Sequence, residues 1–235
     1  MSEFITDISA KVIESMFTIT GLEWLAMLLS LAYVILAARG SLWCWPAAFI
    51  STALYTYIFY EYLLLMDSAL NGYYLVMAVY GYWAWSKSNK ITVNKSSKQI
   101  TDNSNQDANF TVVSWQFSWH IKACAILAVI SLCWGYVMAN YTPADFPYLD
   151  TFTTVYAVFA TYLMAQRVLE NWIYWIVIDF ISIFLYLQKA LYPTTLLFII
   201  FVAIAFYGYA KWRNMMIGNN SNINNNEKSE DKSFA

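Results

Sequence analysis

Residues 170–179 read Glu170-Asn171-Trp172-Ile173-Tyr174-Trp175-Ile176-Val177-Ile178-Asp179 and open a long apolar run. The run predicts the start of a membrane-spanning helix. Trp172, Trp175 and Asp179 are spaced i, i+3 and i+7, so a helix places all three on one face. A carboxylate at membrane depth is costly and usually faces a protein interior or a water-filled cavity. Two indole rings and one anion on the same face therefore predict a cavity for a small, flat, cationic ligand.

The composition predicts a multi-pass, all-α membrane protein. Hydrophobic residues make up 60% of the chain and charged residues only 12%, against about 25% charged residues in soluble domains. The sequence shows no metal-ligand cluster, no Gly-rich phosphate loop and no nucleophile motif. We therefore expect no catalytic residue, no metal, no cofactor and no nucleic-acid partner, and we predict that the protein is not an enzyme. His120, which lies beside Trp119, is interpreted as an anchor at the membrane interface.

Seven apolar segments are predicted to cross the membrane, with a domain at 21–213 that contains them all. They lie at 22–38, 43–61, 68–85, 120–140, 150–166, 171–188 and 193–212. Residues 1–20 predict an amphipathic segment along the membrane surface. Residues 86–118 are polar and rich in Ser, Asn and Lys, which predicts a flexible linker loop. The Asn-rich, charged residues 214–235 predict a disordered tail.

Basic residues predict the orientation of these segments. With seven spans, one side of the membrane receives only Lys11 and Lys189. The other side receives eleven basic residues: Arg39, Lys87, Lys90, Lys95, Lys98, Lys122, Arg167, Lys211, Arg213, Lys228 and Lys232. Short loops rich in Lys and Arg stay in the cytoplasm. The N-terminus is therefore expected outside and the C-terminus in the cytoplasm.

Two short matches predict an internal duplication. Phe49-Ile50-Ser51 recurs as Phe180-Ile181-Ser182 at an offset of 131, and Tyr80-Gly81-Tyr82-x-x-Trp85 recurs as Tyr207-Gly208-Tyr209-x-x-Trp212 at an offset of 127. We place the four-residue difference in the turn between the two matched segments. Two parallel three-helix repeats, at 22–85 and 150–212, would then be joined by a linking helix at 120–140, as in SWEET-type transporters. Close helix packing is sufficient to explain Gly81 and Gly208.

The W-x-x-W-x-x-x-(N/D) pattern of Trp172, Trp175 and Asp179, together with the 3+1+3 layout, resembles the PnuC family of vitamin transporters. The surrounding Glu170-Asn171 and Leu185-Tyr186-x-x-Lys189 resemble it too, and the resemblance covers roughly residues 20–213. It implies facilitated diffusion of nicotinamide riboside across the bacterial inner membrane, with trapping by a cytoplasmic kinase. Related members carry thiamine or riboflavin. Some nicotinamide riboside carriers have Asn where this chain has Asp179, so thiamine, also an aromatic cation, stays open as the alternative.

The resemblance implies that Trp172, Trp175 and Asp179 contact the substrate, and each has a structural alternative. The two Trp residues suit an aromatic belt at the interface, and Asp179 suits a hydrogen bond to a neighbouring helix. Asn71 would reach a ribose hydroxyl or another helix, and Tyr186 is counted with the substrate-binding residues. The partners implied are a cationic vitamin, the lipid bilayer and a kinase, and a homo-oligomer stays open.

Overall fold

The computed structural model describes residues 20–61, 65–96, 110–142, 145–188 and 192–233, with only the backbone at 65–66, 88–96 and 219–233. Seven helices form over these residues: α1 Gly21–Ala38, α2 Cys44–Glu61, α3 Leu65–Ser96, α4 Phe117–Tyr141, α5 Pro147–Ala165, α6 Asn171–Gln188 and α7 Tyr192–Ser233. Four of them are long and apolar enough to cross a membrane, namely α1, α4, α6 and the Tyr192–Gly218 part of α7. All seven predicted segments coincide with helices, and the amphipathic segment predicted for 1–20 lies outside the described residues apart from Thr20.

Local sequence signals set several helix ends. Thr20 caps α1 in a capping box, because its backbone N–H donates to Glu23 while its hydroxyl accepts the Glu23 N–H. Such a box satisfies two of the backbone donors that a helix start leaves free. Pro147 begins α5, where the missing N–H of proline costs nothing. Gly40 ends the turn after α1 with a φ of 68°, a left-handed conformation that glycine adopts without strain.

Two helices run further than the hydropathy predicted. α3 continues to Ser96 through the first part of the predicted 86–118 linker, and α7 continues to Ser233 through the tail predicted to be disordered. Adding a residue to an existing helix costs far less than starting one, so polar residues prolong a helix that the membrane segment has nucleated. Composition therefore predicts the apolar part of each helix well, but it predicts poorly how far the helix continues into polar sequence.

Helix packing closes a ring of six helices. α1 packs on α2 and α2 on α3, while α5 packs on α6 and α6 on α7. The two sets meet at α1 with α7 and at α3 with α5. α4 packs on α5, outside the ring. In this order α2 and α6 occupy opposite positions across the ring.

The helix ends repeat at one constant offset. α1 ends at Ala38 and α5 at Ala165, and the first residues of α2 and α6, Cys44 and Asn171, also stand 127 positions apart. The same offset separates Gly81 in α3 from Gly208 in α7. The four-residue difference that we placed in the turn before α3 is therefore wrong. The Ser51 and Ser182 match compares residues one helical turn apart.

Candidate substrate-binding site

The turn between α5 and α6 fixes the start of the predicted site. Arg167 adopts a left-handed backbone with φ 59°, which lets the chain reverse immediately after α5. Asn171 is fully buried, and its side-chain N–H donates to the carbonyl of Val168. The carbonyl of Glu170 then accepts the N–H of Ile173 at 3.0 Å and starts the helix. These bonds set the direction in which the face of Trp172, Trp175 and Asp179 points.

Trp172 lies in the core between α6 and α7 and is only 1% exposed. A Cβ placed on Gly208 would lie 2.7 Å from three atoms of its ring, so glycine is what lets the ring approach α7. Trp212 meets the ring edge-on, with centroids 5.4 Å apart and an interplanar angle of 88°. The indole Nε1 has no hydrogen-bond acceptor among the described residues. This environment is a packed interior and differs from the alternative of a belt at the membrane surface.

Trp175 and Asp179 lie deeper along the same face. Trp175 is half-buried and packs against both hydrophobic clusters of the described core. Asp179 is 3% exposed, and no hydrogen bond or ion pair to it occurs within the part of the chain that the structure describes. The alternative of a structural hydrogen bond to a neighbouring helix is therefore not seen. A carboxylate buried at this depth needs a compensating partner, because burying an unpaired charge is expensive.

Tyr74 of α3 links this carboxylate electrostatically to tyrosines of three helices. The hydroxyl of Tyr74 interacts electrostatically with Asp179, with Tyr33 and Tyr73, and with Tyr186. These side chains come from α1, α3 and α6, so the ring brings together residues far apart in sequence. We name Tyr33, Tyr73, Tyr74, Asp179 and Tyr186 the tyrosine cluster. Phenolic hydroxyls both donate and accept hydrogen bonds, which suits a ligand that combines a flat ring with hydroxyl groups.

The two other predicted site residues, Tyr186 and Asn71, have different surroundings. Tyr186 belongs to the tyrosine cluster and stacks on Phe198, with ring centroids 5.2 Å apart. Asn71 donates its amide N–H to the carbonyl of Asp67 in its own helix at 2.9 Å. That bond is neither of the two interactions proposed for it from sequence.

A second polar network at the start of α6 was missed by the sequence reasoning. Glu170 accepts hydrogen bonds from the Ser114 hydroxyl at 2.5 Å and from the Trp115 backbone N–H at 3.3 Å. Its carboxylate lies 3.6 Å from Nε2 of His120, and Nδ1 of His120 lies 3.1 Å from the Tyr174 hydroxyl. His120 is only 9% exposed and faces Glu170 and Tyr174 inside the protein, and its role as an interfacial anchor stays a prediction. The network ties α4 to the helix that carries Asp179.

The residues around Trp172 have counterparts 127 positions earlier. Trp45 packs on Gly81 as Trp172 packs on Gly208, and a Cβ on Gly81 would clash with the Trp45 ring. This confirms that close packing explains both glycines. Trp45 meets Trp85 edge-on at 5.2 Å and 86°, nearly the geometry of Trp172 with Trp212.

Two indole hydrogen bonds cross between the two sets of helices in the same way. The Nε1–H of Trp85 in α3 donates to the carbonyl of Ala165 at the end of α5, over 3.1 Å. The Nε1–H of Trp212 in α7 donates to the carbonyl of Ala37 at the end of α1, over 3.0 Å. Both carbonyls lie in the last turn of a helix, where the regular helical N–H partners are missing, and the Ala37 carbonyl also accepts the Gly40 N–H at 2.9 Å. We name Trp45, Trp85, Trp172 and Trp212 the tryptophan group.

The repeat is broken where Arg167 stands 127 positions after Gly40. Phe110 packs on Gly40, so that a Cβ there would lie 2.8 Å from its ring, and the Arg167 guanidinium lies 4.6 Å from the centroid of the same ring. The guanidinium also donates to the carbonyl of Trp85 at 2.8 Å. Burial lowers the pKa of Arg167 to about 10, so the side chain remains charged at neutral pH. Aromatic faces and a carbonyl replace the water that this cation has lost.

Comparison with known proteins identifies the family. The sequence model of the nicotinamide mononucleotide transporter family matches residues 20–214. The chain belongs to this family, the PnuC transporters. Within the described residues no group of three or more His, Cys, Asp or Glu side chains is placed to hold a metal ion.

Relatives of this PnuC-family chain differ in the vitamin that they carry. It is 24% identical over 175 residues to the nicotinamide riboside transporter PnuC of Escherichia coli, covering 70% of this chain and 73% of that protein. It is 22% identical over 204 residues to the Neisseria mucosa PnuC, covering 83% and 73%. It is also 23% identical over 186 residues to the riboflavin/roseoflavin transporter RibM of Streptomyces davaonensis, covering 79% and 81%.

The fold agrees with a solved member of the family. A crystal structure of the vitamin B3 transporter PnuC superposes with a TM-score of 0.68 at 19% sequence identity, covering 92% of this chain and 90% of the other. An identity this low carries the fold alone. This PnuC-family chain is thus a multi-pass membrane transporter, which fits the bacterial inner membrane.

Proposed function

We propose that the protein takes up nicotinamide riboside across the bacterial inner membrane by facilitated diffusion, with thiamine as the alternative substrate. The observation that carries this proposal is Asp179, a buried carboxylate on the same face as Trp175 that has no hydrogen bond or ion pair to any residue that the structure describes. The pyridinium of nicotinamide riboside and the thiazolium of thiamine are flat cations that would supply the missing charge. The named relatives support a flat vitamin, since two carry nicotinamide riboside and one carries riboflavin or roseoflavin.

We infer a 3+1+3 architecture of two parallel repeats, α1–α3 and α5–α7, joined by α4. The support is threefold: helix ends at a constant offset of 127, matching tryptophan geometry, and packing of α1 on α7 that corresponds to packing of α5 on α3. A two-fold axis along the membrane normal would then run through the ring. Substrate sites in repeat-built transporters lie near the midplane between the repeats.

The proposed roles of the predicted residues follow from their surroundings. Asp179 balances the cationic ring, and Trp175 stacks on it. Trp172 holds this face in place from behind, because its own ring is covered by α7. Tyr186 and its neighbours in the tyrosine cluster offer hydroxyls to the ribose, and Asn71 lies nearer the start of α3, on the path toward them. Trapping by a cytoplasmic kinase then makes a passive carrier accumulate the vitamin.

The experiment compares Asp179→Asn and Asp179→Leu with the parent protein, using Asp145→Asn as a control on an exposed carboxylate. Binding of nicotinamide riboside, thiamine and riboflavin is measured by calorimetry in detergent, and uptake is measured in liposomes. Removing the charge should weaken binding of the cationic vitamin by about 1–3 kcal/mol, or roughly 5- to 150-fold. Uptake should stop at equal concentrations and ignore proton or sodium gradients. A folded Asp179→Leu protein that binds and carries each vitamin like the parent would sink the proposal.

A further inference from the structure

α2 carries the spacing of the candidate site on the opposite side of the ring. Trp45, Ala48 and Thr52 are spaced i, i+3 and i+7, as are Trp172, Trp175 and Asp179, and each stands 127 positions before its counterpart. A helix places such a set on one face. α2 and α6 lie opposite each other in the ring. The two sets of residues therefore have equivalent positions only if both helices are rotated in the same way about their own axes.

The first member of each set answers this question. Trp45 rests on Gly81 and meets Trp85 edge-on, as Trp172 rests on Gly208 and meets Trp212. The exposed fractions of the two Trp residues are 2% and 1%, and both leave Nε1 without an acceptor. A helix is rigid, so equal placement of its first face residue also fixes the next two. Ala48 and Thr52 therefore occupy the places in the first half of the ring that Trp175 and Asp179 occupy in the second.

The chemistry of the two faces differs where their geometry agrees. Ala48 has a single methyl group where Trp175 has an indole, and it is buried in the same hydrophobic cluster against which Trp175 packs. Thr52 has a neutral hydroxyl where Asp179 has a carboxylate. That hydroxyl donates to the carbonyl of Ala48 at 2.8 Å, which leaves its oxygen able to accept a further hydrogen bond.

We propose that Ala48 and Thr52 form the wall of the vitamin cavity opposite Trp175 and Asp179, and that the small side chain of Ala48 sets the size of the aromatic ring that fits. The inference rests on the proposed function, because it needs the cavity to hold a vitamin. The ligand class is a flat heterocycle that carries a hydroxylated chain or sugar. Its ring stacks on Trp175 in the space that Ala48 leaves, and one of its hydroxyl groups donates to the Thr52 oxygen.

The test uses Ala48→Leu and Thr52→Val, with Ile50→Leu as the control. Ile50 lies on α2 between the two positions and is 49% exposed on the outer surface. Ala48→Leu should weaken binding of nicotinamide riboside or thiamine roughly 5- to 150-fold, in line with overpacking elsewhere, and should weaken riboflavin binding more because its ring system is larger. Thr52→Val should weaken binding about 2- to 10-fold, and Thr52→Ser should restore it. Ile50→Leu should bind like the parent.

A double variant separates a shared cavity from a local packing effect. Trp175→Phe frees space on the opposite wall, so Ala48→Leu combined with Trp175→Phe should bind better than the sum of the single losses indicates. A defect confined to the packing of α2 on α3 would leave the two losses additive. Additive losses, or an Ala48→Leu protein that folds and shows the parent's preference among the three vitamins, would overturn the proposal.

Chemical modification of an introduced cysteine separates two hypotheses: that Ala48 lines the cavity, and that the protein carries a vitamin. Ala48→Cys changes the volume little, so the protein should fold, and the parent with its three Cys sets the background. A small charged thiol reagent should modify Cys at this position, and a bound vitamin should protect it. Modification without binding of any vitamin would support the wall and refute the proposed function. Vitamin binding that leaves the modification rate unchanged would refute the wall alone.

Discussion

Substitution of Gly208 by Ala tests whether packing behind Trp172 holds the site in position. The new Cβ would lie 2.7 Å from three ring atoms, closer than side-chain carbons approach one another in folded proteins. The ring has no room to retreat, because it is 1% exposed and Trp212 stands at its edge. Extra atoms in a packed core of this kind cost about 1–3 kcal/mol.

Gly72 supplies the matched control, because a Cβ at that position meets nothing within 4 Å. Both glycines lie inside helices, so both variants gain the helix propensity of alanine, about 1 kcal/mol, and the difference between them isolates the clash. The assay is thermal unfolding in detergent followed by vitamin binding. About 1–3 kcal/mol corresponds to a melting temperature lower by roughly 2–12 °C for a chain of this size.

Binding should fall with stability in Gly208→Ala, since Trp172 carries the face on which Trp175 and Asp179 lie. Adding Trp172→Phe removes the ring that clashes and should recover part of the lost stability. Gly81→Ala should repeat the effect through Trp45, where the clash is closer still. Equal melting temperatures for Gly208→Ala and Gly72→Ala would refute this account of the packing.

Three further outcomes are expected. Trp85→Phe and Trp212→Phe should each lower stability by about 0.5–1.5 kcal/mol in thermal unfolding, because each removes an indole bond to a helix-end carbonyl; unequal losses would argue against equivalent roles. Glu170→Gln weakens the contacts with Ser114 and His120, so hydrogen exchange should rise around residues 113–115, whereas unchanged exchange would count against the network. Thr111→Cys should react with an impermeant thiol reagent only from the cytoplasm and Asp145→Cys only from outside, and the reverse pattern would overturn the predicted orientation.

Helix positions were predictable from the sequence, because a membrane-spanning helix needs a run of about 20 mostly apolar residues and such runs are visible in the sequence. Seven runs of apolar residues gave seven helices, with ends within a few residues except for α3 and α7. Those two continue into polar sequence, where helix propagation and not hydropathy decides the end. The register of the duplication was misplaced because two short matches were taken as equivalent, whereas one compares neighbouring turns of a helix.

The candidate site was only partly predictable from the sequence, since its residues come from different helices that only the packing of the ring brings together. Trp175 and Asp179 share a face that periodicity reveals, but the electrostatic interaction of Tyr74 with Asp179 joins α3 to α6, and no spacing in the sequence reports it. His120 and Glu170 are 50 residues apart along the chain, so their pairing was equally hidden. A useful signal was present in Trp45, whose offset from Trp172 equals that of Gly81 from Gly208.

The two halves of the ring, α1–α3 and α5–α7, pack in similar ways but carry different side chains at two places along the helices. At the tryptophan group, Arg167 replaces Gly40 and adopts a left-handed backbone, which costs a non-glycine residue about 1–2 kcal/mol. Its hydrogen bond to Trp85 and its position over Phe110 offset that strain, so one half gains a buried cation where the other half has none. Deeper in the ring, Trp175 and Asp179 replace Ala48 and Thr52. A symmetric ring would present two equal walls, but a vitamin with a charged ring on one side and hydroxyls on the other needs two unlike ones. In the proposed 3+1+3 architecture, duplication supplies the frame, and the proposed selectivity resides in the few positions at which the two halves differ.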